Sequence, residues 1–322
     1  ATFCVSLSMA SPRPLDHAKL QAVNERIRDA AQQAAAPGGL SAILIERFLR
    51  TGEQTWEGAG SGRFSLAQFK EDEAYSRATK TALQNLLDLL ADLFPAEAQA
   101  NPLVSPDAIR RRIEPMVSGL VQADWRDVAL REITARMFIL NLAGTRMAVE
   151  AELSTCFMGS AWRVLWPLFE DYGLKPDDIN VGCDGLAGDY AHVRWSAYQT
   201  DDPYSDVVVH EAAHMLHYLK PSHHGFHVRR GQERFVDIEF HHRELFAYAC
   251  EAYSRVVLHG DRKSRIAFAE EMPDAAFSFP QTEIKEVAVL VLSAARAQNG
   301  WRLIREATVI RRPRRRSLTT VH

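Results

Sequence analysis

Residues 207–220 read VVVHEAAHMLHYLK, and within them His210, Glu211 and His214 form an H-E-x-x-H sequence. A helix advances by about 100° per residue, so positions four apart lie on one face, one turn apart. Val207–Val209 before the motif and Met215, Leu216, Tyr218 and Leu219 after it supply the apolar residues of a packed helix. Ser205 or Asp206 is placed to start that helix and Pro221 to close it. Two imidazoles so arranged can converge on one zinc ion, while Glu211 projects beside them within reach of a water on that ion. Zinc brings the pKa of such a water towards neutrality, and a nearby carboxylate can take its proton and later pass it to a leaving amine. The plainer alternative is a surface helix carrying two unrelated histidines.

Two features outside the motif favour the first reading. Ten of the 12 histidines lie between His192 and His259. A second helix is expected over Phe240–Leu258, and its stretch RELFAYACEAY (243–253) carries Glu244 and Glu251, seven apart and therefore on one face. Glu244 follows His214 by thirty positions. Either carboxylate can be a metal ligand or a solvated helix charge.

Together these residues resemble the zincin metallopeptidases, and within them the gluzincins, whose third ligand is a Glu on a later helix. The metzincin pattern fails, because His217 and Lys220 stand where it needs Gly and His. The resemblance covers about residues 190–255. It implies one Zn²⁺ held by His210, His214 and Glu244, with Glu251 as the alternative third ligand and the other acid supporting the site. It also implies Glu211 as general base and then acid, and a peptide or protein substrate. Zincins run an edge strand beside the cleft, and His192–Tyr198 is placed to be that strand; an ordinary core strand is the alternative. Many gluzincins have an Asp four residues after the Glu ligand, but this chain has Tyr248. Support for a ligating imidazole is therefore expected from Asp206, Asp237 or a backbone carbonyl. Tyr248, His223, His224, His227, His241 and His242 are candidates to stabilise an oxyanion, and Tyr248 joins Glu211 as the expected catalytic pair. His217 shares the face of His210 and is expected to pack, with lining the cleft or touching the third-ligand helix as the alternatives.

The remainder of the chain sets the frame. A helical region is expected over 1–155, with helices over Leu15–Ala36, Leu40–Leu49, Ser65–Phe94, Pro106–Val121 and Trp125–Leu153. Ser105 is the expected N-cap of the fourth, and Pro115 is expected to kink or split it. A zincin-like catalytic region follows over 156–310, with Tyr190–Tyr198 as a strand, Gly182–Gly188 as a loop bordering the cleft, and a helix over Thr282–Gln298 stopped by Asn299-Gly300. Residues 311–322 form a basic tail that is expected to be solvated. The fold class is α+β, predominantly α-helical, with a small sheet.

Composition excludes several classes. The chain of 322 residues is 47% hydrophobic and 25% charged, which is a folded composition. Its net charge of −3 is not that of a polycation, so nucleic acid is not an expected partner of the whole chain. No apolar run approaches the roughly 18–20 residues of a bilayer span. Cys4, Cys156, Cys183 and Cys250 are scattered, which suits a reducing compartment such as the cytoplasm. Residues 1–10 are mildly apolar without a charged leader, and a longer leader directing secretion is the alternative. The rival functional reading is a binding or regulatory protein that keeps the zincin scaffold without proteolysis and touches nucleic acid through Arg311–Arg316.

Overall fold

The computed structural model describes residues 101–155, 185–187, 190–226, 232–272 and 284–309, together with 164, 167, 168, 170 and 171. The helices expected before residue 100, Cys4, Cys156, Cys183, His227 and the basic tail lie outside the described residues. What is described is mostly helical with a small sheet, an α+β arrangement in which helices predominate. The chain divides into two compact units. One comprises Val104–Met137, Gly185–Val193 and Ala197–His322, and the other Ala1–Leu103, Phe138–Asp184 and Arg194–Ser196.

The unit that carries H-E-x-x-H opens with α1 (Pro106–Leu120). Ser105 caps it as expected, its hydroxyl accepting the Ala108 N–H at 3.2 Å. Pro115 neither splits nor ends the helix. It sits on the exposed side, while Ile109, Ile113, Met116, Val117 and Leu120 form a buried stripe on the other. Burying each such side chain is worth about 1.5–3 kcal/mol, enough together to outweigh the roughly 3 kcal/mol that an interior proline costs. Helix α2 (Arg126–Ala135) packs on α1 through Ala129, Leu130 and Ile133.

The single helix expected over Trp125–Leu153 is instead α2, strand β1 (Met137–Leu140) and α3 (Leu142–Thr155). Asn141 explains the break. Its side-chain Nδ2 donates to the Pro102 carbonyl at 2.8 Å, and its side-chain Oδ1 accepts the Gly144 N–H at 2.8 Å. The residue thus caps a new helix rather than continuing an old one.

Strands β2 (Gly185–Ala187) and β3 (Ala191–Arg194) pair antiparallel, with Gly185 opposite Val193 and Ala187 opposite Ala191. Among the described residues the sheet order is β1-β3-β2, so β3 is the middle strand and β2 an outer one. This corrects two expectations. Gly185–Ala187 is strand, not loop, and the strand expected over Tyr190–Tyr198 stops at Arg194, where Trp195–Tyr198 turns into a short helix, α4. The cause is Asp171, whose carboxylate accepts both the Ser196 N–H (3.3 Å) and its hydroxyl (2.9 Å) and so takes the donor a ladder would have used.

Helix α5 (Val207–Tyr218) holds the motif. Every residue from Val208 to His217 is buried, so the helix runs through the core of its unit rather than along a surface. It packs against α6 (Arg243–Val256), and both helices bury small residues: Ala212 and Ala213 on α5, Ala247, Ala249 and Ala252 on α6. Helices α7 (Arg262–Glu271), α8 (Ile284–Arg296) and α9 (Gly300–Thr308) complete the unit. Asn299 does not stop α8 as expected; it caps α9, accepting the Arg302 N–H at 3.0 Å. No helix among the described residues is long and apolar enough to cross a membrane.

Candidate metal centre

A helix buried along ten residues must satisfy whatever polar groups it carries, because an unpaired buried polar group costs about 1–3 kcal/mol. Helix α5 buries four: His210, Glu211, His214 and His217. Their partners define the site.

His210 and His214 aim Nε2 at each other at 3.1 Å. Glu244, in the first turn of α6, brings Oε2 to 3.5 Å from His214 Nε2 and 3.8 Å from His210 Nε2. A four-coordinate ion with bonds of about 2.0–2.1 Å has ligand-to-ligand edges of about 3.3 Å. The three observed edges bracket that value, so the two imidazoles and the carboxylate can hold a metal ion. They are the one such group of three found among the described residues. Of the two acids expected to compete for the third position, the structure brings Glu244 to the nitrogen tips.

Glu251 engages the other side of the same imidazole. Its Oε2 lies 3.0 Å from His210 Nδ1. Its Oε1 accepts the Ser205 hydroxyl at 2.7 Å and the Asp206 N–H at 2.9 Å. Arg112 reaches from α1 to the Asp206 carboxylate at 3.4 Å. Support for His210 therefore comes from Glu251, not from the carboxylates of Asp206 or Asp237. Asp237 instead accepts the N–H groups of Glu233 and Arg234 at 3.3 and 3.2 Å. On His214, Nδ1 meets His217 Nε2 at 2.9 Å.

Electrostatics separate these groups. Burial works against a charged His210, but its bond to Glu251 and the surrounding carboxylates Glu251, Glu211 and Glu244 outweigh it and raise the pKa. Burial lowers His214, with Glu244 opposing. The hydrogen bond from His214 holds Glu244 below its usual range despite burial. Burial pushes Glu211 up to about 7; His210 opposes this, while Glu251 and Glu244 add to it.

Glu211 is the exception to satisfaction: its Oε2 is buried with no hydrogen-bond partner among the described residues. One wall of its niche is backbone. Gly185 of β2 lies so close that a methyl group there would overlap the Glu211 carboxylate. The Gly182–Gly188 segment was expected to border the site, and Gly185 does so as part of the strand beside the motif helix.

The remaining candidates disperse. The Tyr248 ring stands edge-on to His210, centroids 4.5 Å apart. His224 turns towards Glu132 at 3.7 Å, and His241 and His242 lie in an exposed 3-10 turn before α6, beside the exposed Phe240. His223 is exposed. Cys250 is buried, and burial raises its thiol well above the usual range, which makes it an inert packing residue.

No protein-family model matches the chain, and no curated protein and no solved structure matches it significantly.

Proposed function

We propose that the protein is a zinc-dependent peptidase. The observation that carries this reading is Glu211: a buried carboxylate, one oxygen of which has no partner among the described residues, beside three residues that can hold a metal. A metal held only for structure has no use for such a group, and leaving it unpaired is costly. This disfavours the rival reading of a zincin scaffold retained purely for binding. Two nitrogens and one carboxylate oxygen are a donor set suited to zinc and leave a fourth position for water or substrate.

When bound, zinc would polarise a substrate carbonyl and bring a water's pKa towards neutrality. The protein supplies the rest. Glu211 takes the proton of the attacking water and returns it to the departing amine, a task that suits a carboxyl held near neutrality. Tyr248, beside His210, is assigned to hydrogen-bond the carbonyl oxygen as negative charge builds there. The outer strand β2 passes Glu211, so an extended peptide adding to its edge would present its backbone to that carboxylate.

The test is a digest of a broad peptide library by the zinc-loaded protein and by Glu211→Gln. The expected outcome is cleavage by the first and at least a roughly 10²–10⁴-fold loss in the second, with zinc retained at one ion per chain. Equal cleavage by both would refute the mechanism.

A further inference from the structure

We propose that His217 is a positioning residue for the metal centre: as a neutral imidazole protonated on Nδ1, it accepts the Nδ1–H of His214 on Nε2 and so fixes which nitrogen of His214 faces the metal. The inference rests on the metal-binding reading of His210, His214 and Glu244.

His214 turns Nε2 towards His210 Nε2 and Glu244 Oε2, at 3.1 and 3.5 Å. A nitrogen that donates its lone pair to a metal carries no proton, so the proton of a neutral His214 must sit on Nδ1. Nδ1 lies 2.9 Å from His217 Nε2. That atom can accept only if its own proton is on Nδ1. The contact therefore specifies the tautomer of both rings.

The two ligating histidines are supported by different chemistry. His210 Nδ1 meets an acid, Glu251, whereas His214 Nδ1 meets an imidazole. A partner on the far nitrogen orients a ligating ring and raises its basicity.

His217 is built to hold its place. It is 3% exposed. Its ring stands at 80° to that of His214, with centroids 5.2 Å apart, and the Tyr218 ring lies 4.4 Å away. Its position, three residues after His214, puts both on one helix face. Position 217 lies in the last turn of α5, where carbonyls have no helical partner. A following segment supplies the donors: Arg234 Nη1 to the His217 carbonyl at 2.7 Å, Phe235 N–H to Leu219 at 3.3 Å and Val236 N–H to Leu216 at 3.1 Å. The end of the helix that aims the ring is thus tied down on three carbonyls.

The experiment measures zinc affinity of the full chain against a chromophoric chelator for wild type, His217→Leu and His217→Gln, each with a melting curve of the metal-free form. Leu removes the acceptor and keeps most of the volume; Gln restores an acceptor oxygen at similar reach. The expected result is a roughly 10–100-fold weaker affinity for Leu, most of it recovered by Gln. A purely structural role would lower both melting curves and leave both affinities alone, which overturns the proposal. Nitrogen-15 histidine spectra of zinc-loaded wild type decide the matter even if neither variant folds. They should show His214 protonated on Nδ1 and His217 protonated on Nδ1 only; a proton on His217 Nε2 overturns it. Wild type that binds no zinc would instead refute the metal reading beneath it, and this proposal with it.

Discussion

Gly185 and Glu211 meet so closely that no side chain fits between them. One is backbone on an outer strand, and the other is the acid between the two motif histidines. The strand thereby serves as the wall that holds the carboxylate in its niche, and the absence of a Cβ at 185 is a condition for the geometry of the site.

Gly185→Ala tests that condition. The added methyl must displace either the strand or the Glu211 carboxylate, and the carboxylate, at the end of a longer side chain, is the softer of the two. A displacement on the order of 1 Å at a reacting group can cost about 10²-fold in rate. The expected outcome is kcat reduced by about that factor with zinc stoichiometry unchanged, and a loss of about 1–3 kcal/mol in stability from overpacking. Steady-state kinetics and a denaturant melt on the same preparation check both; unchanged kcat would show that the wall is not needed.

Glu251→Gln separates supporting His210 from holding zinc directly. The amide keeps the volume and one acceptor but removes the charge beside His210 Nδ1 at 3.0 Å. Loss of such a partner weakens metal binding roughly 10–100-fold. Glu244→Gln replaces a ligand and should be far more damaging. Competition titrations on the two variants are expected to rank them in that order. The reverse order would exchange the roles of the two acids.

How much of this was readable beforehand differs residue by residue. His210, Glu211 and His214 were legible because helix geometry alone puts positions four apart on one face. The seven-residue spacing of Glu244 and Glu251 gave their common face. It could not say that one would reach the Nε2 tips while the other took Nδ1 from behind, since that depends on how α6 crosses α5. Gly185 lies 26 positions before Glu211, and no local pattern announces that a glycine must lack a side chain for the sake of a distant carboxylate. The early end of β3 and the break after β1 have the same cause. Asp171 and the Pro102 carbonyl act from far along the chain, and periodicity reads only neighbours. The contact between His217 and His214 could have been suspected from their i, i+3 spacing, which places two polar rings side by side on a buried face.

On the proposal that His210, His214 and Glu244 hold zinc, removing the metal should loosen their unit. A ligand at 100 times its Kd adds about 2.7 kcal/mol to the stability of a folded state that alone binds it. Chelation is therefore expected to lower Tm, and restored zinc to recover it in proportion to the logarithm of free zinc. Glu211→Gln should respond as wild type does, because it leaves all three ligands in place. His210→Ala should not respond. Calorimetric scans at two zinc concentrations check this, and a Tm for wild type that ignores zinc would count against the centre.

Stability should also fall on mild acidification through a buried histidine that is not one of the three candidate ligands. Burial pulls the His192 imidazole, on β3, down from its ordinary 6.5 to about 4. The folded protein then binds fewer protons at this site than the unfolded chain between those two values, so stability rises with pH across that window. The sign is fixed by that difference: the contribution is complete above about pH 6.5, declines as pH falls, and levels off below about 4. A shift of this size corresponds to roughly 3 kcal/mol over the window. His192→Leu keeps a similar volume without a titrating group, and its unfolding free energy should lose that part of the slope between pH 6.5 and 4. Urea melts of wild type and variant at half-unit steps, both metal-free so that ligand protonation is common to the two, isolate the difference. Parallel pH profiles would mean that His192 titrates alike in the folded and unfolded chains.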